Sequence, residues 1–209
     1  MRFNLKNRIK KWELALLLAR VPDLVPCHPS LEQYTTPAEI AADVLFIVLQ
    51  REGLAGRHVV DLGSGTGRLA IGCALLGASR VVGVEIESRF VYAAREAARS
   101  LKASVEFVHG DIACIRGKFD LVVQNPPFGV RRKGADRRFL NKAFSLSNIV
   151  YSIHKSDNKI RQLIKQFAAK RGFKSVIVKS YSFPIPYSLP QHVKTVHRVR
   201  VDLWRFQYD

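Results

Sequence analysis

The chain has 209 residues, of which 47% are hydrophobic and 10% aromatic, so it can bury one sizeable α/β core and does not read as a disordered chain. Its formal net charge of +17 favours a polyanionic partner, most often nucleic acid, with an acidic membrane surface as the alternative. Three cysteines without CxxC spacing support neither a disulfide framework nor a protein-bound metal, and no apolar run could span a bilayer. We therefore expect a cytoplasmic protein.

The first predicted element is a basic helix over residues 4–20. Its apolar residues recur at helical spacing opposite several lysines and arginines, so we expect one face to pack and the other to be solvated. The predicted apolar face consists of Leu5, Ile9, Trp12 and Leu16. Prolines then predict an irregular connection to about residue 30. Residues 1–30 are thus assigned to this helix and its connection, and residues 31–209 to one main domain.

A capping box marks the start of the second predicted helix. Thr36 is the expected N-cap, Pro37 stands at the first helical position and Glu39 returns to the cap. We expect this helix to continue to about Gln50.

Strands and helices then alternate, which requires a parallel, doubly wound α/β sheet. The predicted order is strand 58–62, helix 68–76, strand 80–84, helix 88–101, strand 104–108 and strand 119–123. The remaining elements are strand 149–153, helix 157–171, strand 175–181 and strand 193–206. Polar and apolar residues alternate in the last strand, which predicts a partly exposed antiparallel edge. The fold class is therefore a mostly parallel, seven-stranded sheet with an antiparallel edge strand and an N-terminal helix.

A glycine-rich loop, residues 63–67, connects the first strand of this series to its helix. The glycines allow a tight turn and a close approach of a ligand to the backbone, a pattern that alone also fits a dinucleotide site. Glu85 ends the next strand, where a carboxylate can hold two ribose hydroxyls. Asp111 follows the third strand, where it can meet an adenine amine. Taken one at a time, these acids could equally be a surface residue and a helix cap.

Asn125-Pro126-Pro127-Phe128 follows the fourth strand. Pro126 has no N–H to donate, so we expect the strand to stop before it. The amide oxygen of Asn125 and a neighbouring carbonyl can accept the two hydrogens of a planar amine, and Phe128 can stack on its plane. Without the glycine loop, an ordinary turn would be the better interpretation of this tetrapeptide.

The combination of glycine loop, two acids and Asn-Pro-Pro-Phe resembles the S-adenosylmethionine-dependent methyltransferases of the Rossmann-like class. A dinucleotide dehydrogenase would have no evident use for the tetrapeptide. The resemblance implies that the cofactor supplies an activated methyl group and that the protein supplies position and electrostatics. No general base is needed, and we assign no histidine to catalysis.

Four segments resemble the methyltransferase-like protein 5 family more specifically. They are residues 31–36 (LEQYTT), 125–129 (NPPFG), 150–156 (VYSIHKS) and 201–206 (VDLWRF). The resemblance implies methylation of the exocyclic N6 amine of one adenosine in small-subunit rRNA, with catalytic residues Asn125, Pro126, Pro127 and Phe128. The implied cofactor-binding residues are Gln33, Thr36, Gly63, Gly65, Thr66, Arg68, Glu85, Ile86, Asp111 and Ile112. It also implies a small zinc-binding activator as partner.

Two other substrates and one non-enzymatic function remain open. A guanine amine or a glutamine side chain of a translation protein could use the same tetrapeptide, and an RNA-binding module could keep the fold without turnover. Thr35, Ser64, Thr66 and Val130 depart from the family pattern, and Val130 loses a hydroxyl beside the tetrapeptide.

Basic residues cluster directly after the tetrapeptide, in a predicted loop. Positive charge beside the reaction centre suits the phosphates that flank a target base, which must be unpaired or flipped out of its stack. The predicted RNA-binding residues are Arg131, Arg132, Lys133, Arg137, Arg138, His154 and Lys155.

Overall fold

The structure, a computed structural model, describes residues 9–23, 35–128, 134–185 and 197–208. The helices are α1 (Lys11–Ala19), α2 (Ala38–Glu52), α3 (Arg68–Leu75), α4 (Ser88–Ser100), α5 (Ala135–Leu146) and α6 (Asn158–Ala169). The strands are β1 (His58–Leu62), β2 (Arg80–Glu85), β3 (Glu106–His109), β4 (Leu121–Gln124), β5 (Ile149–Lys155), β6 (Phe173–Ile185) and β7 (His197–Tyr208).

The seven strands form one sheet in the order β3-β2-β1-β4-β5-β7-β6. Strands β1 to β5 pair in parallel, and β7 runs antiparallel to both β5 and β6. The predicted fold class, a mostly parallel seven-stranded sheet with antiparallel pairing at one edge, is confirmed. The sequence analysis predicted that the last strand of the chain, β7, would be the edge strand. In the structure β6 is the edge strand, and β7 lies between β5 and β6. Val201 to Leu203 of β7 are fully buried, Val201 and Leu203 in the core shared with α1 to α4, and Asp202 against Arg161 of α6.

Helices cover both faces of the sheet. Helices α1 to α4 share one apolar core with alternate residues of β1, β4 and β5, and helices α5 and α6 share a second core with the intervening residues. The register makes Leu62, at the end of β1, level with Val84 in β2 and Gln124 in β4. The segments that follow these three strands therefore leave the sheet side by side, at its carboxyl edge.

The predicted apolar face of the first helix is wrong. Leu14 and Leu18 are fully buried, while Trp12 is 59% and Leu16 61% exposed. Every residue from Leu14 to Ala19 is apolar, so periodicity could not choose a face, and contact with α2 and α3 decides it. Residues 9 and 10 precede the helix, and the predicted stretch 4–8 lies outside the described residues.

Two further expectations about helices are corrected. Pro37, not Thr36, is the N-cap of α2, and its side chain has no polar atom that could cap the helix. The Thr36 hydroxyl accepts a hydrogen bond from Asn125 instead. The basic segment after the tetrapeptide contains helix α5, where a loop was expected. Its run of charges hid an amphipathic pattern that buries Leu140, Ala143 and Phe144.

Candidate active site

The site lies at the carboxyl edge of the sheet, where β1, β2 and β4 end. Strand β4 stops at Gln124, as the two prolines predicted, and Asn125 follows it directly. Because Leu62 and Gln124 are register partners, Asn125 emerges beside the glycine loop. A cavity between the two is lined by Thr35, Thr36, Asp61, Arg68 and Asn125 together with the loop itself.

The loop conformation requires glycine. Gly63, Gly65 and Gly67 have φ angles of 70°, 55° and 87°, in the left-handed region that other residues rarely adopt. A Cβ at Gly67 would also lie 2.5 Å from the ring of Phe107, so the loop is pressed against β3. Gly63 and Gly65 therefore present main chain to the cavity, beside Ser64 and Thr66.

Glu85 is 6% exposed and is held at the end of β2 by main-chain N–H groups. Its carboxylate accepts hydrogen bonds from the N–H of Gly65 (2.8 Å), Ile86 (2.9 Å) and Glu87 (3.0 Å). Burial raises the pKa of Glu85, and these three N–H groups oppose that shift. The carboxylate thus has a defined orientation beside the glycine loop, which suits a pair of ribose hydroxyls.

Asp61, in β1, lines the cavity and was missed as a site residue. Its Oδ2 accepts from the Ala70 N–H at 3.0 Å, and its Oδ1 is buried with no hydrogen-bond partner in the described part of the chain. Burial raises its pKa to about 7, and the charge of Glu85 adds to the shift. A buried acceptor of this kind fits a cationic amino group. The signal available in the sequence was an acid two residues before the first loop glycine.

Arg68 and Thr66 join the N-terminal segment to the glycine loop. The Arg68 guanidinium is buried and donates to the carbonyls of Leu18, Val21 and Thr36 at 3.1, 2.5 and 2.8 Å. The Thr66 hydroxyl donates to the Pro22 carbonyl at 2.8 Å. Both side chains were expected to line the cofactor, and both shape the wall of the cavity through these bonds to protein carbonyls.

The tetrapeptide has one polar and one aromatic anchor. Asn125 Nδ2 donates to the Thr36 hydroxyl at 3.0 Å. Phe128 is 9% exposed and meets Phe183 edge-on, with ring centroids 6.3 Å apart. A planar base could therefore contact only a small part of the Phe128 ring in this conformation.

Asp111 and Ile112, which were expected at the adenine, lie in the segment that follows β3. Asp111 caps a short 3₁₀ turn, Ile112–Cys114, by accepting from the Ala113 N–H at 2.8 Å, and it is also paired with Arg138 of α5. Ile112 is 5% exposed, whereas Ile86, next to Glu85, is 51% exposed. The Gly110 N–H donates to the Glu85 carbonyl at 2.9 Å and brings these segments together.

The structure buries His154, which the sequence analysis placed in the RNA-binding set. It is 1% exposed, its Nε2 lies 2.7 Å from the Ser152 hydroxyl, and burial lowers its pKa to about 3. Lys155 is half-buried at the end of β5, and Arg137 is exposed on α5. Arg131, Arg132 and Lys133, as well as Gln33, lie outside the described residues.

Replacing Asp61 with asparagine should change how stability depends on pH. A carboxyl whose folded pKa is raised from 3.8 to about 7 favours folding while protonated, and this contribution is lost as pH rises through the folded pKa. The amide that replaces the carboxyl cannot ionise and can still accept from Ala70. Relative to wild type, the unfolding free energy of Asp61→Asn should therefore rise by about 3 kcal/mol between pH 5 and pH 8. Urea unfolding at both pH values measures this gain, and an unchanged difference between the proteins would contradict it.

The fold and the cavity together define a Rossmann-like methyltransferase. The methyltransferase small domain family model matches residues 36–148. The rRNA N(6)-adenosine-methyltransferase Mettl5 of Drosophila melanogaster is 36% identical, over 85% of this chain and 86% of its own, and the Danio rerio enzyme of that name is 32% identical over 95% and 99%. A crystal structure of a proposed RNA methyltransferase from Pyrococcus horikoshii superposes with a TM-score of 0.86 at 36% identity, covering 95% and 98% of the two chains.

The chain belongs to the methyltransferase-like protein 5 family, within the methyltransferase small domain family. It is an enzyme, and S-adenosylmethionine is its cofactor. Within the described residues, no helix is long and apolar enough to cross a membrane.

Proposed function

We propose that the protein transfers a methyl group from S-adenosylmethionine to the N6 amine of an unpaired adenosine in small-subunit rRNA. The observation that carries this proposal is the position of Asn125, which lines the cavity beside the glycine loop and Asp61. The relatives named as rRNA N6-adenosine methyltransferases, which match most of the chain, support the choice of adenosine.

The charged and polar groups of the described residues suit those of the cofactor. Asp61 would accept from the amino group of its methionine part, and Glu85 would hold its ribose hydroxyls. Asp111, Ile86 and Ile112 would surround its adenine. Bound there, the cofactor supplies a methyl group activated by a sulfonium.

The protein's own contribution is to orient the target amine. Asn125 Oδ1 and the Pro126 carbonyl would each accept one amine hydrogen, which draws the nitrogen lone pair out of conjugation with the ring and aims it at the cavity. The proton leaves to water after transfer. His154 cannot serve as a general base because it is buried within the sheet.

The basic residues would bind the phosphates on either side of the flipped adenosine. Arg137 and Arg138 lie on α5, whose N-terminus follows the tetrapeptide, and Arg138 already reaches Asp111 of the cofactor region. Arg131, Arg132, Lys133 and Lys155 complete the proposed RNA-binding set. A surface of this charge has less purpose for a protein glutamine substrate.

Three broader expectations belong to the same proposal. A small zinc-binding protein would act as activator, the enzyme would work in the cytoplasm, and residues 31–209 would form the methyltransferase domain with residues 1–30 as an extension. Resemblance to the family supports the first, and cysteine usage supports the second.

Labelled S-adenosylmethionine and purified small-subunit rRNA test the proposal. We expect label in N6-methyladenosine after digestion to nucleosides, with large-subunit rRNA and translation factors as matched controls. Label found only in methylguanosine or in protein glutamine would overturn the adenosine assignment. RNA binding without any transfer would favour a binding module.

A further inference from the structure

Strands β6 and β7 extend further than β5 at the carboxyl edge of the sheet. Strand β5 ends at Lys155, whose register partner in β7 is Val201. Beyond that point, residues 197–200 of β7 continue to pair with residues 182–185 of β6. Four residues of a strand are about 13 Å long. These two stretches, which we call the ribbon, therefore project past β5 at the edge where the active site lies.

One face of the ribbon contacts the catalytic tetrapeptide. Phe183 is fully buried, and its ring meets that of Phe128 edge-on with centroids 6.3 Å apart. Val199, the register partner of Phe183, lies on the same face and packs against the core shared with α1 to α4. Side chains alternate along a strand, so the residues on either side of Val199 belong to the opposite face. Farther along β7, that opposite face is the one that packs with α5 and α6.

Arg198 and Arg200 are the residues on either side of Val199, and both are exposed. They lie two residues apart on one face of a strand, which separates their Cβ atoms by about 7 Å. A planar guanidinium matches phosphate oxygens in a bidentate manner, and at this separation each arginine can bind a different phosphate. The ribbon thus carries two adjacent anion-binding groups close to the tetrapeptide.

The charge of these two arginines is not balanced by acidic side chains. Asp202 is the only acidic residue in the sequence from 173 to 208, and it is buried against Arg161 Nε of α6 at 2.7 Å. In the part of the chain that the structure describes, neither Arg198 nor Arg200 makes an ion pair or a side-chain hydrogen bond. Neighbouring like charges repel each other, so this surface does not stabilise the fold, and it suits a polyanionic partner.

The tetrapeptide lies between two basic surfaces. In the sheet order, β4 has the cofactor strands β1 to β3 on one side and β5, β7 and β6 on the other. Arg138 of α5 reaches Asp111, which follows β3, so the arginines of α5 extend towards the cofactor side. The ribbon lies on the other side. An RNA strand whose target base enters the site can therefore contact α5 on one flank and the ribbon on the other.

We propose that Arg198 and Arg200 form a second phosphate-binding surface, which holds single-stranded RNA on the flank of the target adenosine that α5 does not contact. This inference rests on the proposed function, since it takes the tetrapeptide as the place where the adenosine is methylated. The neighbours of the arginines on this face are Ser180 and Ser182, both exposed, and not the apolar side chains with which a protein inserts into a membrane.

A double variant, Arg198→Gln with Arg200→Gln, tests the surface. The probe is a fluorescein-labelled oligouridine that carries one central adenosine, and its Kd is measured by anisotropy over a series of salt concentrations. We expect the Kd to weaken about tenfold. The slope of log K against log salt should fall by about 1.4, since each phosphate contact to a single strand contributes about 0.7. Arg198→Lys with Arg200→Lys keeps both charges and should keep the slope.

Arg51→Gln with Lys170→Gln is the matched control, because it removes the same total charge. Both residues are exposed at the ends of α2 and α6 that lie at the amino edge of the sheet, opposite the site. This variant should retain the wild-type slope. An equal fall in slope for the two double variants would contradict the inference, as would an unchanged slope for the ribbon variant. Loss of binding to phosphatidylserine vesicles with unchanged RNA binding would assign the ribbon to a membrane.

Shortening the RNA on one side of the adenosine at a time tests which flank the ribbon holds. In wild type, removing either flank should weaken binding. In the ribbon variant, removing the flank that the ribbon contacts should cost less than it does in wild type, whereas removing the other flank should cost the same. Costs that are equal in the two proteins for both flanks would overturn the inference.

The cofactor Kd and the transfer assay separate this inference from the proposed function. The ribbon variant should bind S-adenosylmethionine as wild type does, which shows that it is folded, and its kcat should stay the same while its KM for RNA rises. If wild-type protein methylated no adenosine, the proposed function would fail while the salt slope still decided the RNA contact. Normal methylation by wild type together with an unchanged KM and slope in the variant would overturn this inference alone.

Discussion

Asn125→Ala is expected to lower methyl transfer by about a hundredfold or more while the cofactor Kd stays within about twofold. The variant removes an acceptor for the amine, a contact that strengthens as the nitrogen becomes nucleophilic, and such groups are worth about this much in other active sites. It leaves Asp61, Glu85 and the glycine loop intact. Single-turnover methylation and calorimetric titration with S-adenosylmethionine measure the two quantities separately.

Asn148→Ala is the matched control for this experiment. Asn148 is exposed and directly precedes β5, so it lies at the amino edge of the sheet, opposite the site. Its replacement should change neither quantity. A loss of cofactor affinity in Asn125→Ala as large as the loss of transfer would contradict the assigned role, because Asn125 would then hold the cofactor.

Glu85→Gln is expected to weaken the cofactor Kd by about a hundredfold. The carboxylate is oriented by the N–H groups of Gly65, Ile86 and Glu87, and an amide would turn one NH₂ towards some of these donors. It would also lose a charged acceptor for the ribose hydroxyls, and hydrogen bonds to charged groups contribute about 1.5–3 kcal/mol each. Calorimetry gives the Kd directly.

Thermal unfolding with and without the cofactor supports the same measurement. Because a ligand stabilises the fold in proportion to the logarithm of its concentration over Kd, the cofactor should raise the Tm of wild type more than that of Glu85→Gln. Glu106→Gln, an exposed carboxylate at the start of the neighbouring strand β3, should behave as wild type. Equal stabilisation of Glu85→Gln and wild type would remove Glu85 from the cofactor site.

The features predicted correctly depend on short stretches of sequence. Strand β1 has the predicted bounds, β4 stops before Pro126, and Glu85 ends β2. Each follows from local chemistry: a proline without an N–H, glycines that tolerate positive φ, and apolar runs bounded by turns. The alternation of these elements was enough to predict the sheet class, because parallel strands require helical connections.

The features that were missed depend on contacts between distant segments. The face that α1 buries is chosen by α2 and α3, and the Thr36 hydroxyl serves Asn125 in place of its own helix. His154 belongs to a motif that reads as charged and exposed in sequence, but it is enclosed by the pairing of β5 between β4 and β7. No local pattern contains that information.

The sequence by itself determined the class of fold, the glycine loop, the acid at the end of β2 and the tetrapeptide after β4. Those features reside in residue types and their spacing along one strand or turn. The tertiary structure alone decided how they work together, by bringing Asp61 into the cavity, closing its wall with Arg68 and placing Thr36 against Asn125. These decisions need the register of neighbouring strands and the docking of the N-terminal segment, which arise only when the whole sheet is assembled.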